Sequence, residues 1–427
     1  VIFQLNQQAK TILSEDRVVD YHRHDLFTKN LSEFKIEEVL QLHPNSKNNL
    51  LNRTYQIRLA NMYRVNEVIS KLSRHKDIEY AELKELHRLA IAPNDPNYSN
   101  ANQWSLFQIE AEAAWDISTG DAGVVVAVTD NAINVDHPDL TNKMVAGWDA
   151  AENDNDPRPC GVNDGLHGSH VSGIVGAETD NSLGIASIGW DISVMPIKIG
   201  RCSDGALTAG YEGVEWAASN GADVINMSWG GGGSGQYGQN ICNDAWAQGS
   251  ILIAAAGNDG NNQQFYPAAY NNVVSVASTN QSDQKSDFSQ FGTWIDISAP
   301  GSSIVSTNQN TGYQALQGTS MASPLVAGLM GLMKSHASNA TNTDLINCLY
   351  SGAENIDAQN GGYIGQLGAG RINALNSMDC ASNFSAQNDA AIVGITSPTS
   401  SLCANNFTPE VVLRNYGSNT LTAVTIN

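Results

Sequence analysis

The chain has 427 residues, more than one ordinary domain uses, and 41% of them are hydrophobic, enough for a sizeable core. No run approaches the ~20 consecutive apolar residues that a membrane helix needs. The formal net charge of -21 is uneven: residues 1–93 hold 14 Lys/Arg against 12 Asp/Glu and the remainder 8 against 31, which argues against nucleic acid or an anionic membrane as the main partner. Acidic surface of this kind keeps a secreted protein soluble, and it offers the basic first segment something to dock on. The opening VIFQLNQQAK lacks an initiator Met, a basic n-region and a long apolar h-region, so an export signal is either already removed or lies outside this sequence.

Residues 1–93 contain no Gly, Trp or Cys, and all 38 Gly begin at Gly120. Residues 55–59 alternate as a strand does, residues 65–73 place Val65, Val68, Ile69 and Leu72 at helical spacing, and residues 78–83 read as a second strand. A small α+β domain fits. APNDPNYSN at 92–100 reads as a linker. From Gly120 onward, apolar β-branched runs at 124–128, 192–197, 224–227, 251–256 and 273–277 alternate with helical stretches such as 208–220. Such strands imply a parallel sheet covered on both faces, with ligands beyond the carboxyl ends of the strands. After about Ala381, runs at 390–395, 410–413 and 421–426 read as short strands, with a turn at 415–418, and look like the beginning of a β-sandwich. The expected domains are therefore 1–92, 93–381 and 382–427.

Four segments carry chemistry. VVVAVTDNAINVDHPDL puts Asp130 at a strand end, and GLHGSHVSGIVGA puts His167 at the start of a helix. GTSMASPLVAG puts Ser320 at the start of an apolar helix, and AAAGNDG puts Asn258 at another strand end. A serine hydroxyl is a poor nucleophile at neutral pH, so it needs a base, and the base needs an orienting carboxylate. The free backbone N–H groups of a helix start, and a side-chain amide, suit developing negative charge.

These segments, their order Asp, His, Ser and their spacings of 37 and 153 residues resemble the subtilisin family of serine proteases over roughly residues 95–378. The resemblance implies a three-layer α/β catalytic domain that hydrolyses peptide bonds in polypeptide substrates through an acyl-enzyme. Asp130, His167 and Ser320 would be its triad, and Asn258 with the Ser320 N–H its oxyanion donors. In HGSH the family pattern assigns the first histidine; His170 is then a helix residue nearby, and His137 belongs to a structural turn. By the same resemblance, Ser228, Trp229 and Gly230 form one wall of the S1 pocket, Ala255, Ala256 and Gly257 the other, with Phe265 at its base disfavouring large P1 side chains. The alternative for Phe265 is a place in the core. An extended substrate would lie against this Gly-rich backbone.

Three positions depart from the family, which has a small hydroxyl residue and then Gly after the aspartate. Asn131 and Ala132 stand there instead, and Ser169 replaces a usual Thr. An Asn amide has a hydrogen bond to donate to the carboxylate, while Ala in place of Gly restricts the backbone. Together they imply altered activity rather than none.

Hard oxygen ligands suit calcium. GWDAAENDNDP gathers Asp149, Asp154 and Asp156 in a loop that resembles a family calcium site. A second site is implied by Asp95, Asp139 and Asn181 with main-chain carbonyls near Leu183 and Ile185. Both would be structural. Residues 1–92 resemble the family's pro-domains, which aid folding and inhibit intramolecularly, with self-cleavage expected within 82–92. The six Cys, widely spaced and without CxxC, read as disulfides of an extracellular protein. In the fold implied, Cys160–Cys202 would join loops flanking one cleft and Cys348–Cys380 the last two helical segments. Cys242 and Cys403 are left: either they pair or Cys403 finds a partner outside this sequence, and buried free thiols are the alternative to disulfides. Two rival readings are a pseudoprotease, a binding protein that kept the scaffold, and a surface-anchored adhesion protein built on the C-terminal sandwich.

Overall fold

The structure, a computed structural model, describes all residues except 7, 8, 10–13, 16, 60–63, 85–91, 162, 163, 386–389, 398–409 and 416–427. The chain divides into two compact units, Val1–Arg88 and Leu89–Asn427.

The first unit contains β1 (Ile2–Leu5), β2 (Ser14–Glu15), β3 (Val18–Val19), α1 (Asp25–Asn30), β4 (Ile36–Gln41), β5 (Thr54–Leu59), α2 (Val65–Ser73) and β6 (Ile78–Glu82). Its strands form one antiparallel sheet in the order β2-β3-β4-β5-β1-β6. The expected periodicities hold. Tyr55 and Ile57, two apart on β5, are buried, and so are Val68 and Leu72, four apart on α2. With Phe3, Phe27 and Val39 they make a separate core, and the Phe3 and Tyr55 rings stack at 5.4 Å.

The second unit begins with α3 (Trp104–Gln108), α4 (Ala111–Trp115), β7 (Val125–Asp130), β8 (Trp148–Asp149), α5 (Leu166–Gly176), β9 (Ser193–Lys198) and α6 (Gly210–Ser219). It continues with β10 (Val224–Met227), α7 (Gln236–Ala247), β11 (Ile251–Ala255), β12 (Val273–Thr279), β13 (Ile297–Pro300) and the hairpin of β14 (Ile304–Thr307) and β15 (Tyr313–Leu316). Then come α8 (Thr319–His336), α9 (Asn342–Ser351), α10 (Ala374–Ala381) and an antiparallel pair, β16 (Ala390–Ser397) and β17 (Glu410–Asn415). The expected strand at 421–426 lies outside the described residues, and the second unit includes what was read above as a third domain.

Seven strands form a parallel sheet in the order β13-β12-β11-β10-β7-β9-β8. Both faces are covered, as the unbroken apolar runs required. On β7, Val126 and Val128 enter the cluster that contains α5 and α8, while Ala127 enters the one that contains α6 and α7. The strand order reverses at β7, so the crevice where ligands gather in such sheets lies at that strand's carboxyl end. β7 also runs two residues further than its apolar run, because Thr129 and Asp130 pair with Ile197 and Lys198 of β9. Asp130 is thereby fixed as the last residue of the switch strand. Helix α8 is buried from Thr319 to Met333, as a helix apolar on every side must be.

Candidate active site

Asp130 sits at the end of β7 with 2% of its surface exposed. Its Oδ1 lies 2.8 Å from Nδ1 of His167, the second residue of α5. The approach is close because residue 168 is Gly. A Cβ there would collide with the Ala132 carbonyl oxygen and meet Asp130 Cβ at 3.0 Å. Burial of the imidazole disfavours its charged form, but the Asp130 charge and hydrogen bond outweigh this, and the His167 pKa is raised. The imidazole is half-buried, and no hydrogen bond joins it to Ser320 among the described residues.

Asn131 does not hold the carboxylate with its side-chain amide as the sequence suggested. Its backbone N–H donates to Asp130 Oδ1 at 2.7 Å, while its Nδ2 turns to Asp164 Oδ1 at 3.4 Å. Asp130 Oδ2 is buried without a hydrogen-bond partner among the described residues. Ala132 is buried and keeps an ordinary negative φ, so the feared displacement of Asp130 has no backbone cause.

Ser320 is the second residue of α8. Pro324, four residues on, has no N–H to offer the Ser320 carbonyl, so that carbonyl is free of the helix ladder. It accepts instead from Ser228 Oγ at 3.0 Å, and Ser320 Oγ donates to the Ser228 carbonyl at 3.2 Å. The clasp is backed by buried groups: Asn226 Nδ2 donates to Ser228 Oγ at 2.9 Å, and Ser323 Oγ to Asn226 Oδ1 at 2.6 Å. Sequence reasoning missed this network, although a proline four residues after a helix-start serine is a readable signal.

Asn258 follows β11. Its Oδ1 accepts from the Thr319 N–H at 2.8 Å and from Thr319 Oγ1 at 3.0 Å, which leaves the Nδ2 donors to face elsewhere. A Cβ on Gly318 would lie 3.5 Å from both Asn258 Nδ2 and the Ser320 amide nitrogen. The two donors therefore converge on one space, and it is open because residue 318 has no side chain. The stretches at Ser228-Trp229-Gly230 and Ala255-Ala256-Gly257 follow or end β10 and β11, and Gly231 exchanges two 2.8 Å backbone bonds with Tyr266. The half-buried Phe265 ring stands against both Gly230 and Gly257, where it would meet a Cβ on either.

His170 is fully buried, bonded to the Ile304 and Gln314 carbonyls, and pushed down to about 4 chiefly by burial. His137 is the turn residue expected, its ring bonded to Gly312 O and the Asp139 N–H. Disulfides join Cys160 to Cys202 and Cys348 to Cys380. Cys242 is a buried free thiol, pushed up to about 12 by burial, and Cys403 lies outside the described residues.

The two metal expectations fare differently. Asp149, Asp154 and Asp156 are not gathered around one point. Asp149 is buried against Lys198 Nζ at 2.6 Å, Asp154 Oδ1 accepts from the Asp156 N–H, and Asp156 Oδ1 from Arg158. Lys198 already supplies the cation there and also lies 3.0 Å from each sulfur of Cys160–Cys202, so calcium does not fit Asp149. Asp95 and Asp139, by contrast, are both buried, and burial raises the pKa of each, with the Asp180 charge adding to it at Asp95 and the Asp95 charge at Asp139. Asp139 is pushed up to about 6. Asn181 Nδ2 and the Ile185 N–H donate to Asp139, and Asn181 Oδ1 accepts from the exposed Leu183. Among the described residues neither carboxylate has a basic partner, and two such buried carboxylates suit a hard divalent cation.

A sequence profile described as the Subtilase family matches residues 121–370. Thermitase of Thermoactinomyces vulgaris is 41% identical over 289 residues, covering 67% of this chain and 99% of that protein. A protein named extracellular protease, from Xanthomonas campestris pv. campestris, is 34% identical over 364 residues, covering 74% of this chain and 62% of its own length. Among solved structures, a protease of Pseudoalteromonas arctica PAMC 21717 superposes with a TM-score of 0.60 at 32% identity, over 68% of this chain and 99% of that one.

The Lys198–Asp149 pair yields a stability expectation. Lys198→Met leaves a buried, uncompensated carboxylate and should cost about 3–5 kcal/mol in a denaturant titration. Lys198→Met combined with Asp149→Leu should recover much of that loss. A single variant as stable as the parent would contradict the pairing.

Proposed function

The chain belongs to the subtilase family and is a serine endopeptidase, and on that premise we propose that Asp130, His167 and Ser320 are its triad and Asn258 its oxyanion donor. What supports this reading is the placement of five groups at the carboxyl ends of the strands and the starts of the helices packed on them: a half-exposed imidazole on a buried carboxylate, a helix-start hydroxyl, and two donors beside one open space. Ser320 Oγ attacks the scissile carbonyl, and His167 takes its proton and returns it to the leaving amine. Asp130 holds the imidazole and stabilises its charged form. Asn258 Nδ2 and the Ser320 N–H receive the oxyanion, which is pre-arranged because Thr319 holds the Asn258 carbonyl oxygen.

Polypeptide substrates lie along the backbone of residues 228–230 and 255–257. The Phe265 ring between these walls shortens the S1 pocket and favours small P1 side chains. Residues 1–92 act as a pro-domain, a folding aid and intramolecular inhibitor, removed by self-cleavage within 82–92; 85–91 of that window lie outside the described residues. Their support is resemblance, together with a core of their own. Two disulfides suit an oxidising, extracellular setting, and among the described residues no helix is long and apolar enough to cross a membrane. Calcium takes a structural place at Asp95, Asp139 and Asn181, with the carbonyls of Leu183 and Ile185 as further oxygen donors. When bound it supplies positive charge to the two buried carboxylates.

Three measurements check this reading. The whole chain should cut itself within 82–92, seen on a gel with N-terminal sequencing, while Ser320→Ala stays intact; a Ser320→Ala chain that still processes in isolation would sink the nucleophile. Phe265→Gly should raise kcat/KM for P1 Phe over P1 Ala substrates by roughly tenfold or more, since a methylene-sized change in an apolar pocket is worth about 1–3 kcal/mol; an unchanged ratio would place Phe265 outside S1. Finally, Asp139 has a raised folded pKa, so the chelated protein pays for its ionised form above pH 6 and gains stability as pH falls through about 6 toward 4. Calcium at about 100 times its Kd should add about 2.7 kcal/mol at pH 7.5 and progressively less below pH 6. Thermal unfolding indifferent to calcium at pH 7.5 would remove the site.

A further inference from the structure

Helix α5, which carries His167, starts without a cap of its own. Its N-cap residue is Gly165, which has no side chain to accept from the first-turn N–H groups. In an ordinary start, the N-cap side chain accepts from the third helical residue. Here that residue is Gly168, and its N–H donates at 3.0 Å to Oδ1 of Asn131, the residue that follows Asp130 on another element.

The amide of Asn131 is held in that orientation. Its Oδ1 also accepts from the Ala132 N–H at 2.9 Å, and its Nδ2 donates to Asp164 Oδ1 at 3.4 Å. Asp164 in turn accepts from the Gly165 N–H at 2.8 Å and from the Cys160 N–H at 3.3 Å. The Asn131 carbonyl accepts from the Gly200 N–H at 3.2 Å. One side chain thus ties the end of β7 to the first turn of α5 and to the loop that Cys160–Cys202 tethers. From the carboxylate side the restraint is thin: both bonds to Asp130 fall on Oδ1, and Oδ2 has no partner among the described residues.

We propose that Asn131, oriented by Asp164, is the positioning residue that sets the distance between Asp130 and His167, by capping the histidine's helix rather than by holding the aspartate. The inference rests on the triad assigned above. A residue next to the carboxylate, bonded to the residue next to the imidazole, fixes the separation of the two catalytic groups through two short covalent links.

The test compares the mature enzyme with Asn131→Ala, Asp164→Ala, both together, the exchange Asn131→Asp with Asp164→Asn, and Ser320→Ala. The readouts are kcat and KM on a peptide substrate, the pH profile of kcat/KM, and the thermal midpoint. Asn131→Ala should lower kcat by ~10–100-fold with KM within about twofold, the size of loss a small misplacement of catalytic groups produces. Its acid limb should shift downward, because a loosened Asp130 no longer raises the His167 pKa. Asp164→Ala should lose less, and the double variant no more than Asn131→Ala alone. The exchange keeps an acceptor for Gly168 and the bond between the two side chains but gives up the Gly165 bond, which falls on the same Asp164 oxygen, so it should recover a large part of the kcat that Asn131→Ala loses. Wild-type kcat and an unshifted acid limb in Asn131→Ala would overturn the proposal. So would a loss that follows the thermal midpoint and is not rescued by the exchange. If Ser320→Ala retained activity, the triad itself would fall and this inference with it; an inert Ser320→Ala beside an unaffected Asn131→Ala would overturn this inference alone.

Discussion

Helix α8 is buried from Thr319 to Met333, so its first turn cannot choose where it points. Everything at the site follows from that constraint. The helix apolar on all sides has to run through the core beside the parallel sheet, and its start then falls at the carboxyl ends of β10 and β11. Pro324 frees the Ser320 carbonyl, Ser228 clasps it, and Asn226 and Ser323 hold Ser228 from beneath. Thr319, one residue earlier, fixes the Asn258 amide. Ser320 and the Asn258 amide are thus positioned by packing and buried hydrogen bonds rather than by a flexible loop, which is the preorganisation that their proposed roles require.

Charge is distributed with the same economy. The buried carboxyl groups of the second unit meet the cost of desolvation in different ways. Asp130 has an imidazole and a backbone N–H. Asp149 has Lys198. Asp95 and Asp139 have only neutral donors, the Asp180 and Asn181 N–H groups on one and the Asn181 amide and Ile185 N–H on the other, and both carboxyls titrate above the usual range. Two acidic loops that look alike in composition therefore separate once their partners are known.

Much of this was legible in the sequence. The apolar runs gave five strands of the parallel sheet to within a few residues, since both faces of such a sheet are covered and no alternation is needed. The order and spacing of the Asp130, His167, Ser320 and Asn258 segments identified the family. What escaped was set by side-chain direction. An Asn after the aspartate looks equally able to donate to the carboxylate or to accept from a neighbouring helix; only the uncapped start of α5 and the presence of Asp164 decide it. Asp149 looked like a ligand because Lys198 is 49 residues away along the chain and becomes its neighbour only through the pairing of β8 with β9. The edge elements β8 and β13, short and without periodicity, left no readable pattern.

The central claim is that one hydroxyl in this chain is activated, that of Ser320. Its most direct test is to treat the mature enzyme with a sulfonyl fluoride, digest it and map the modified peptide by mass spectrometry. The account predicts a single adduct on Ser320, formed with loss of all peptidase activity and absent when His167 is replaced by Ala. An enzyme that loses activity while Ser320 stays unmodified, or one that labels Ser320 equally well without His167, would contradict it.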